Sequence, residues 1–320
     1  MNHIKTHFPV EKESLPVHIH FDERIQPREF VAWKATNDKF IKNALLRIGG
    51  ILISGIGISS ASDFEQATQC FAPKFLSYID GNSPRTKLSS CVYTSTEYDP
   101  AQYITLHNEL SYSNKWPSHI YFGCLHPAET GGETPIADCR RIMARMNQDL
   151  VDEIERKRIR YVRNLHGGQG FGPSWQHTFE TQDRKAVENI CKEREIHFKW
   201  NSDGGIQLVH VRDGIVRHSV TGEKVWFNQI DQFHPSHLPS EIYEALTLIY
   251  QDTDSMPMNV TFGDGTPITT QHVHEIRSTI DQVEVPVAWN TGDLLILDNV
   301  LACHGRRPYT GYRKVLVSMS

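Results

Sequence analysis

The stretch DLLILDNVLACHGRRPYTGYRKVLVSMS, residues 293–320, decides the fold. It opens on an apolar run, DLLILDN (293–299), and closes on a second, KVLVSMS (314–320). Runs this short, rich in branched side chains and bounded by Asn, Gly and Pro, read as buried strands rather than helices. His304 follows directly on a segment that would bury it, and nothing local offers its imidazole an obvious partner. A third run, VPVAW (285–289), precedes them, so the C-terminal part reads as strand.

Further strands are expected at GGILISGI (49–56), at HIYFGCL (119–125) and, from the alternation of Thr, Tyr and Val, within Lys87 to Leu106. Residues 1–28 read as a polar, proline-bearing arm leading into a helix at about 29–47, where Phe30, Trp33, Phe40, Ile41 and Leu45 make an apolar stripe. Asp138 opens a long amphipathic helix with Ile142, Met146, Leu150 and Ile154 on one face. Shorter helices are expected at roughly 183–195, 240–251 and 270–281, each preceded by a capping residue. Strands flanking a helical middle give a mainly β fold with a helical insertion over 138–283, and the 320 residues read as a single domain. Within the insertion, HGGQGFGPSWQ (166–176) has the composition of a mobile lid or an ordinary surface loop.

Hydrophobic residues are 39% and charged residues 22% of the chain, enough apolar material for a core. The net charge of −5, from 33 basic and 38 acidic residues, gives no long-range attraction to nucleic acid or to an anionic membrane. Six cysteines form no C-x-x-C pair and the first residues carry no apolar leader, so a reducing, cytoplasmic setting with free thiols is expected.

Three pieces of sequence can be read as a ligand set. In Leu106-His107-Asn108-Glu109, extended backbone would put His107 and Glu109 on one face, although a surface His beside a surface Glu is the bland alternative. His304 could be a core histidine, or the second imidazole of a two-His, one-carboxylate triad with open positions for a co-substrate and dioxygen. Arg313, nine positions on, can bind a carboxylate through two parallel hydrogen bonds, and Thr134 in Gly131-Gly132-Glu133-Thr134 can add a hydroxyl. Arg306 and Arg307 compete for that role, with a solvated rim as the alternative.

With these residues in place the sequence resembles the taurine dioxygenase and clavaminate synthase-like superfamily of Fe(II)/2-oxoglutarate oxygenases, in the branch typified by the syringomycin-biosynthesis aspartyl hydroxylase. The resemblance is carried by YTSTEYDPAQYITLHNELSYSNKWP (93–117), HPAETGGETPIADCR (126–140), TGEKVWFNQIDQFHPS (221–236), FGDGTPI (262–268) and GDLLILDNVLACHGRRPYTGYRKVLV (292–317). It implies a double-stranded β-helix, or jelly roll, of the cupin-like kind. It implies that His107, Glu109 and His304 ligate Fe(II), and that Thr134 and Arg313 hold the distal carboxylate of 2-oxoglutarate. In taurine dioxygenase the arginine lies slightly further beyond the distal histidine and the acid is Asp; clavaminate synthase-like members use Glu, as here. A halogenase, which gives the acid position to chloride, is disfavoured.

The resemblance further implies consumption of 2-oxoglutarate and dioxygen (O2) to hydroxylate an unactivated C–H of an amino acid, free or tethered to a peptidyl carrier protein, in natural-product biosynthesis. Desaturation, cyclisation and epoxidation use the same iron chemistry. Tyr112, Asn228 and Arg306 are candidates for the substrate side. The rivals are a zinc hydrolase with the same ligand set and a non-catalytic binding protein.

Overall fold

The computed structural model describes residues 6–7, 14–250 and 252–320. Its largest sheet has seven strands, in the order Thr6–His7, Val17–Ile25, Gly50–Ile56, Leu294–Asp298, His119–His126, Lys314–Met319 and Tyr93–Thr94. Val17–Ile25 runs parallel to Gly50–Ile56, and the other pairs are antiparallel. Central position explains the unbroken apolar run of Leu294–Asp298: with strands on both sides and both faces covered, all five residues are buried. Before it, Gly49 at φ 90° ends the helix Asp38–Ile48 in the left-handed conformation, which lets the chain turn at once into Gly50–Ile56.

A smaller sheet carries the chemistry. Its order is Val285–Val287, Thr134–Asp138, Ala302–Arg306 and Ile104–His107, all antiparallel. Ile136, Ala137 and Cys303 from this sheet share one apolar core with Ile53, Phe122, Leu294 and Val317 from the larger one. The two sheets are not closed into a barrel, and the architecture is mixed α/β rather than mainly β with an all-helical insertion.

The difference lies in the middle of the chain. Strands Ile159–Leu165, His197–Trp200, Ile206–Arg212 and Met258–Phe262 form a third sheet, backed by the helix Arg184–Glu193 over a separate core of Leu165, Trp175, Val187 and Leu208. The alternation in IQLVHVR (206–212) is that of a strand, buried at every second residue. This sheet grips the chain elsewhere. Arg163, fully buried, donates to Asp80 Oδ1 at 2.6 Å and to the Gly81 carbonyl at 3.0 Å, and the Tyr112 hydroxyl donates to the Asp80 carbonyl at 2.7 Å.

Other expectations are corrected. The segment read as an N-terminal arm contains the nine-residue strand Val17–Ile25, and Pro27 occupies the first turn of the helix Pro27–Thr36; residues 1–5 and 8–13 lie outside the described residues. The helix expected over 29–47 is two, Pro27–Thr36 and Asp38–Ile48, broken at Asn37, whose side chain bonds back to the Trp33 carbonyl at 2.9 Å. The long helix from Asp138 is likewise two, Cys139–Arg145 and Gln148–Lys157, because Asn147 caps the second through the Asp149 amide. Lys87 to Leu106 contains only Tyr93–Thr94 and the start of Ile104–His107 as strand, since side chains take up much of its backbone bonding. All six cysteines are free, and no helix among the described residues is long and apolar enough to cross a membrane.

Candidate metal centre

His107 and His304 are direct cross-strand partners in the smaller sheet. Opposed residues of an antiparallel pair project to the same face, and the two imidazole centroids lie 4.5 Å apart. The expected convergence of His107 and Glu109 arises differently. The strand ends at His107, and Glu109 sits in a turn that continues through Leu110 at φ 56°. Asn299 fixes that turn: its Oδ1 accepts from the Glu109 amide at 2.8 Å, and its Nδ2 donates to the Glu109 carbonyl at 3.0 Å. Asn108 Nδ2 donates in return to the Asn299 carbonyl at 2.7 Å. The two halves of the site, 190 residues apart in sequence, are thus clipped together just beside the ligands.

One donor atom from each of His107, Glu109 and His304 lies within 4.8 Å of the others, and all three residues are buried. Metal–ligand bonds of roughly 2.0–2.2 Å mean that one ion can draw this set together with small side-chain rotations. The His107 Nδ1 stands 2.9 Å from the Thr105 carbonyl, which can only accept. With Nδ1 turned to the backbone, Nε2 is the ring nitrogen left for a metal. Gln232 Nε2 stands against the same pair, 2.8 Å from His107 Nδ1, and donates to the Thr105 carbonyl at 3.2 Å.

Burial lowers the pKa of both rings, most strongly for His304, where His107 and the Arg85 cation add to it. Both imidazoles are thereby held neutral, the form that binds metal. Glu109 is matched by a cation: Arg85 Nη2 donates to its Oε2 at 2.7 Å, with both side chains almost fully buried. The same oxygen stands 3.7 Å from His304 Nε2. Arg85 also stacks on the Tyr78 ring, 4.1 Å from its centroid. Two imidazoles and one carboxylate on one face fit a divalent ion of the Fe(II) type with positions left open.

Thr134 begins its strand two residues from Ile136, the partner of His304, so it shares the His304 face. Its hydroxyl oxygen accepts from Trp289 Nε1 at 3.1 Å, which leaves its proton free to donate into the cavity. Arg313 lines the same cavity as Thr134, His107 and His304. Its Nε donates to the Gly132 carbonyl at 3.0 Å and its Nη1 to Ser95 at 3.3 Å, and no carboxylate among the described residues pairs with it. Burial, with Arg306 nearby, pulls its pKa down to about 10, so it remains a cation at neutral pH.

Arg306 is placed otherwise. Its guanidinium donates to the carbonyls of Thr96, Tyr98, Asp99 and Gln102 at 2.6–3.2 Å and so pins the 96–102 loop. Arg307 pairs with Glu284. Tyr112 is fully buried among Tyr161, Phe233 and Arg163, away from the cavity beside the triad. Asn228 bonds only backbone, through the Gly214 carbonyl at 3.1 Å and the Ile230 amide at 3.2 Å.

The chamber in front of His107 and Glu109 is lined instead by Ser83, Tyr98, Gln102, Gln229, Gln232 and His237, among others. Sequence reasoning missed these, along with Arg85 and Asn299. Only Asn299 had a signal, its place beside Asp298 in the block that carries His304.

A match to the family described as taurine catabolism dioxygenase TauD, TfdA spans residues 11–319. The dapdiamide synthesis protein DdaC of Enterobacter agglomerans is 36% identical over 279 residues, 87% of this chain and 84% of that protein. A clavaminate synthase-like protein of Arabidopsis thaliana is 30% identical over 295 residues, 89% and 85% of the two chains. The fold is similar to that of the PvcB protein from Pseudomonas aeruginosa, at a TM-score of 0.53 and 12% identity over 98% of this chain and 90% of that one. It is similar as well to AAD-2 crystallised with Mn(II) and N-oxalylglycine, at a TM-score of 0.53 and 12% identity over 99% and 97%. With the two imidazoles and the carboxylate converging as they do, these likenesses mark an enzyme, an oxidoreductase of the Fe(II)/2-oxoglutarate dioxygenase class, and the chain belongs to the TauD, TfdA family.

Proposed function

We propose that this protein hydroxylates an unactivated C–H bond of an amino-acid-like substrate, consuming 2-oxoglutarate and dioxygen at an Fe(II) held by His107, Glu109 and His304. The observation that carries the reading is the joining of that ligand set to a buried, carboxylate-free Arg313 and the Thr134 hydroxyl in one cavity. A cation buried without an acid partner is a site for an anion brought from outside, and a dicarboxylic co-substrate supplies it. Bound there, Fe(II) would couple decarboxylation of 2-oxoglutarate to succinate with oxidation of the substrate by dioxygen. The protein's share is positional: Arg313 and Thr134 hold the distal carboxylate, Arg85 and Asn299 aim Glu109, and the Thr105 carbonyl and Gln232 orient the His107 ring. A zinc hydrolase would have no use for the Arg313–Thr134 arrangement.

The amino-acid substrate class is supported by the likeness to a dapdiamide synthesis protein and a clavaminate synthase-like protein. The narrower likeness to the syringomycin-biosynthesis hydroxylase rests on the HNE-SY and DN-x(4)-HGR sequence blocks alone. We read the larger and smaller sheets as the two faces of an opened double-stranded β-helix, and the whole chain as one oxygenase unit with residues 138–283 inserted.

The test is anaerobic addition of Fe(II), then 2-oxoglutarate, to metal-free protein. The visible charge-transfer band of the chelate is expected, with succinate formed once oxygen and substrate are admitted. Folded, metal-bound protein without that band would send the reading back to the hydrolase or binding-protein alternatives.

A further inference from the structure

The chamber beside the triad has no acid to spare. Its one acid is Glu109, which Arg85 already neutralises. The rest of its polar lining is uncharged: carboxamides of Asn82, Gln102, Gln229 and Gln232, several hydroxyls, and His237, whose pKa burial lowers. Of the arginines in the adjoining cavity, Arg306 gives both terminal nitrogens to carbonyls, Arg85 pairs with Glu109 and keeps Nη1 unbonded, and Arg313 stands with Thr134 where the co-substrate is read to bind. A side cavity that shares Tyr78 and Ser83 with the chamber holds Lys87 and Glu180, bonded to each other at 3.1 Å. A free α-amino acid entering the chamber would thus bury an ammonium with no acid to receive it, at a cost of several kcal/mol.

The chamber also has a way out. Gln102, Tyr103, Thr105 and His237 line both it and a larger surface groove. That groove is mainly apolar, walled by Leu238, Pro239, Ile242 and Ile280, with Phe171 half exposed at its side.

We infer that the substrate is an amino-acid residue whose nitrogen is masked as an amide. The rest of the same molecule runs past His237 into the groove. This rests on the oxygenase reading above and narrows its substrate to one acylated at nitrogen. The groove's occupant is the substrate's own distal chain because groove and chamber share four lining residues and lie side by side.

The test uses the full-length protein loaded anaerobically with Fe(II) and 2-oxoglutarate. The standard amino acids are offered in two forms, free and N-acylated. Binding is read from the shift of the charge-transfer band, and turnover from succinate after oxygen is admitted. Masked forms are expected to bind at least about tenfold more tightly than free ones. Equal or tighter binding of the free forms, or no binding by any masked form, overturns the inference. For the groove, Ile242→Asp is expected to raise the ratio of KM for a long N-acyl chain to KM for a short one by about tenfold; an unchanged ratio overturns that assignment. The band forms before any substrate is added. Its failure strikes the oxygenase reading, whereas an intact band with preference for free amino acids strikes this inference alone.

Discussion

Glu109 Oε2 is shared between two neighbours: it accepts from Arg85 Nη2 at 2.7 Å and faces His304 Nε2 at 3.7 Å. The carboxylate is thus neutralised before any metal arrives, inside a site where an unpaired anion would be costly.

Arg85→Gln should destabilise the metal-free protein by about 3–5 kcal/mol, the cost of leaving one partner of a buried pair alone. A divalent ion supplies Glu109 with a replacement cation, so Mn(II) should narrow the gap in melting temperature between variant and wild type. A gap that stays the same or widens with metal would show that Arg85 supports something other than the ligand.

The two buried arginines should separate cleanly. Arg313→Ala is expected to raise the 2-oxoglutarate requirement while iron binding holds, through loss of a charge-assisted contact worth roughly 1.5–3 kcal/mol. Arg306→Ala should instead lower stability, because four carbonyls lose their donor. Kinetics at varied 2-oxoglutarate and a urea melt, run on both variants, check this; the opposite pattern would exchange their roles.

Asn299→Ala removes the clip between the turn bearing Glu109 and the segment leading to His304. A loss of about 10–100-fold in Mn(II) affinity is expected, the usual scale for a group that orients a ligand. Titration followed by electron paramagnetic resonance measures it, and an affinity within twofold of wild type would reduce Asn299 to a packing residue.

His210 gives a pH signature away from the metal ligands. It is fully buried; burial, with Arg163, Arg212 and Arg194 around it, holds its pKa well below the usual 6.5. Below about pH 6.5 the unfolded chain therefore takes up a proton that the folded one refuses, and stability falls with pH by up to about 1.4 kcal/mol per unit. His210→Phe should lose less stability than wild type between about pH 7 and pH 5.5 in urea denaturation. Equal losses would mean that His210 does not resist protonation in the fold.

The residues that bear lone pairs for a metal were legible in the sequence because strand and turn chemistry is local: His304 follows a buried strand and His107 ends one. Arg313 and Thr134, singled out by their place in the sequence blocks, line one cavity with the two histidines. Arg85 was not legible, since it lies 24 residues before Glu109 in a stretch with little regular structure, and only the folded chain brings it back. Tyr112 was drawn toward the substrate by its nearness to Glu109, yet three residues beyond a turn its ring points into the core and holds Asp80. Asn228 had no reason to be buried without a partner, and the partner proved to be backbone. The third sheet was misread as helix territory because its strands are separated by genuine helices and are short; the alternation of IQLVHVR was present but outweighed.

The grip of Arg163 on Asp80 and Gly81 carries a consequence for how this enzyme could change its diet. The segment it holds supplies Tyr78, Asn82 and Ser83 to the chamber wall, while two of the three triad residues stand on a different sheet, with Asn299 tying the third to them. Wall and ligands are thus mounted on separate frames. Selection for a new substrate can act on the third sheet, which carries none of the three ligands, and reshape the wall by shifting its anchor; libraries around residues 159–165 and 206–212 should therefore yield altered specificity with the ligand set intact.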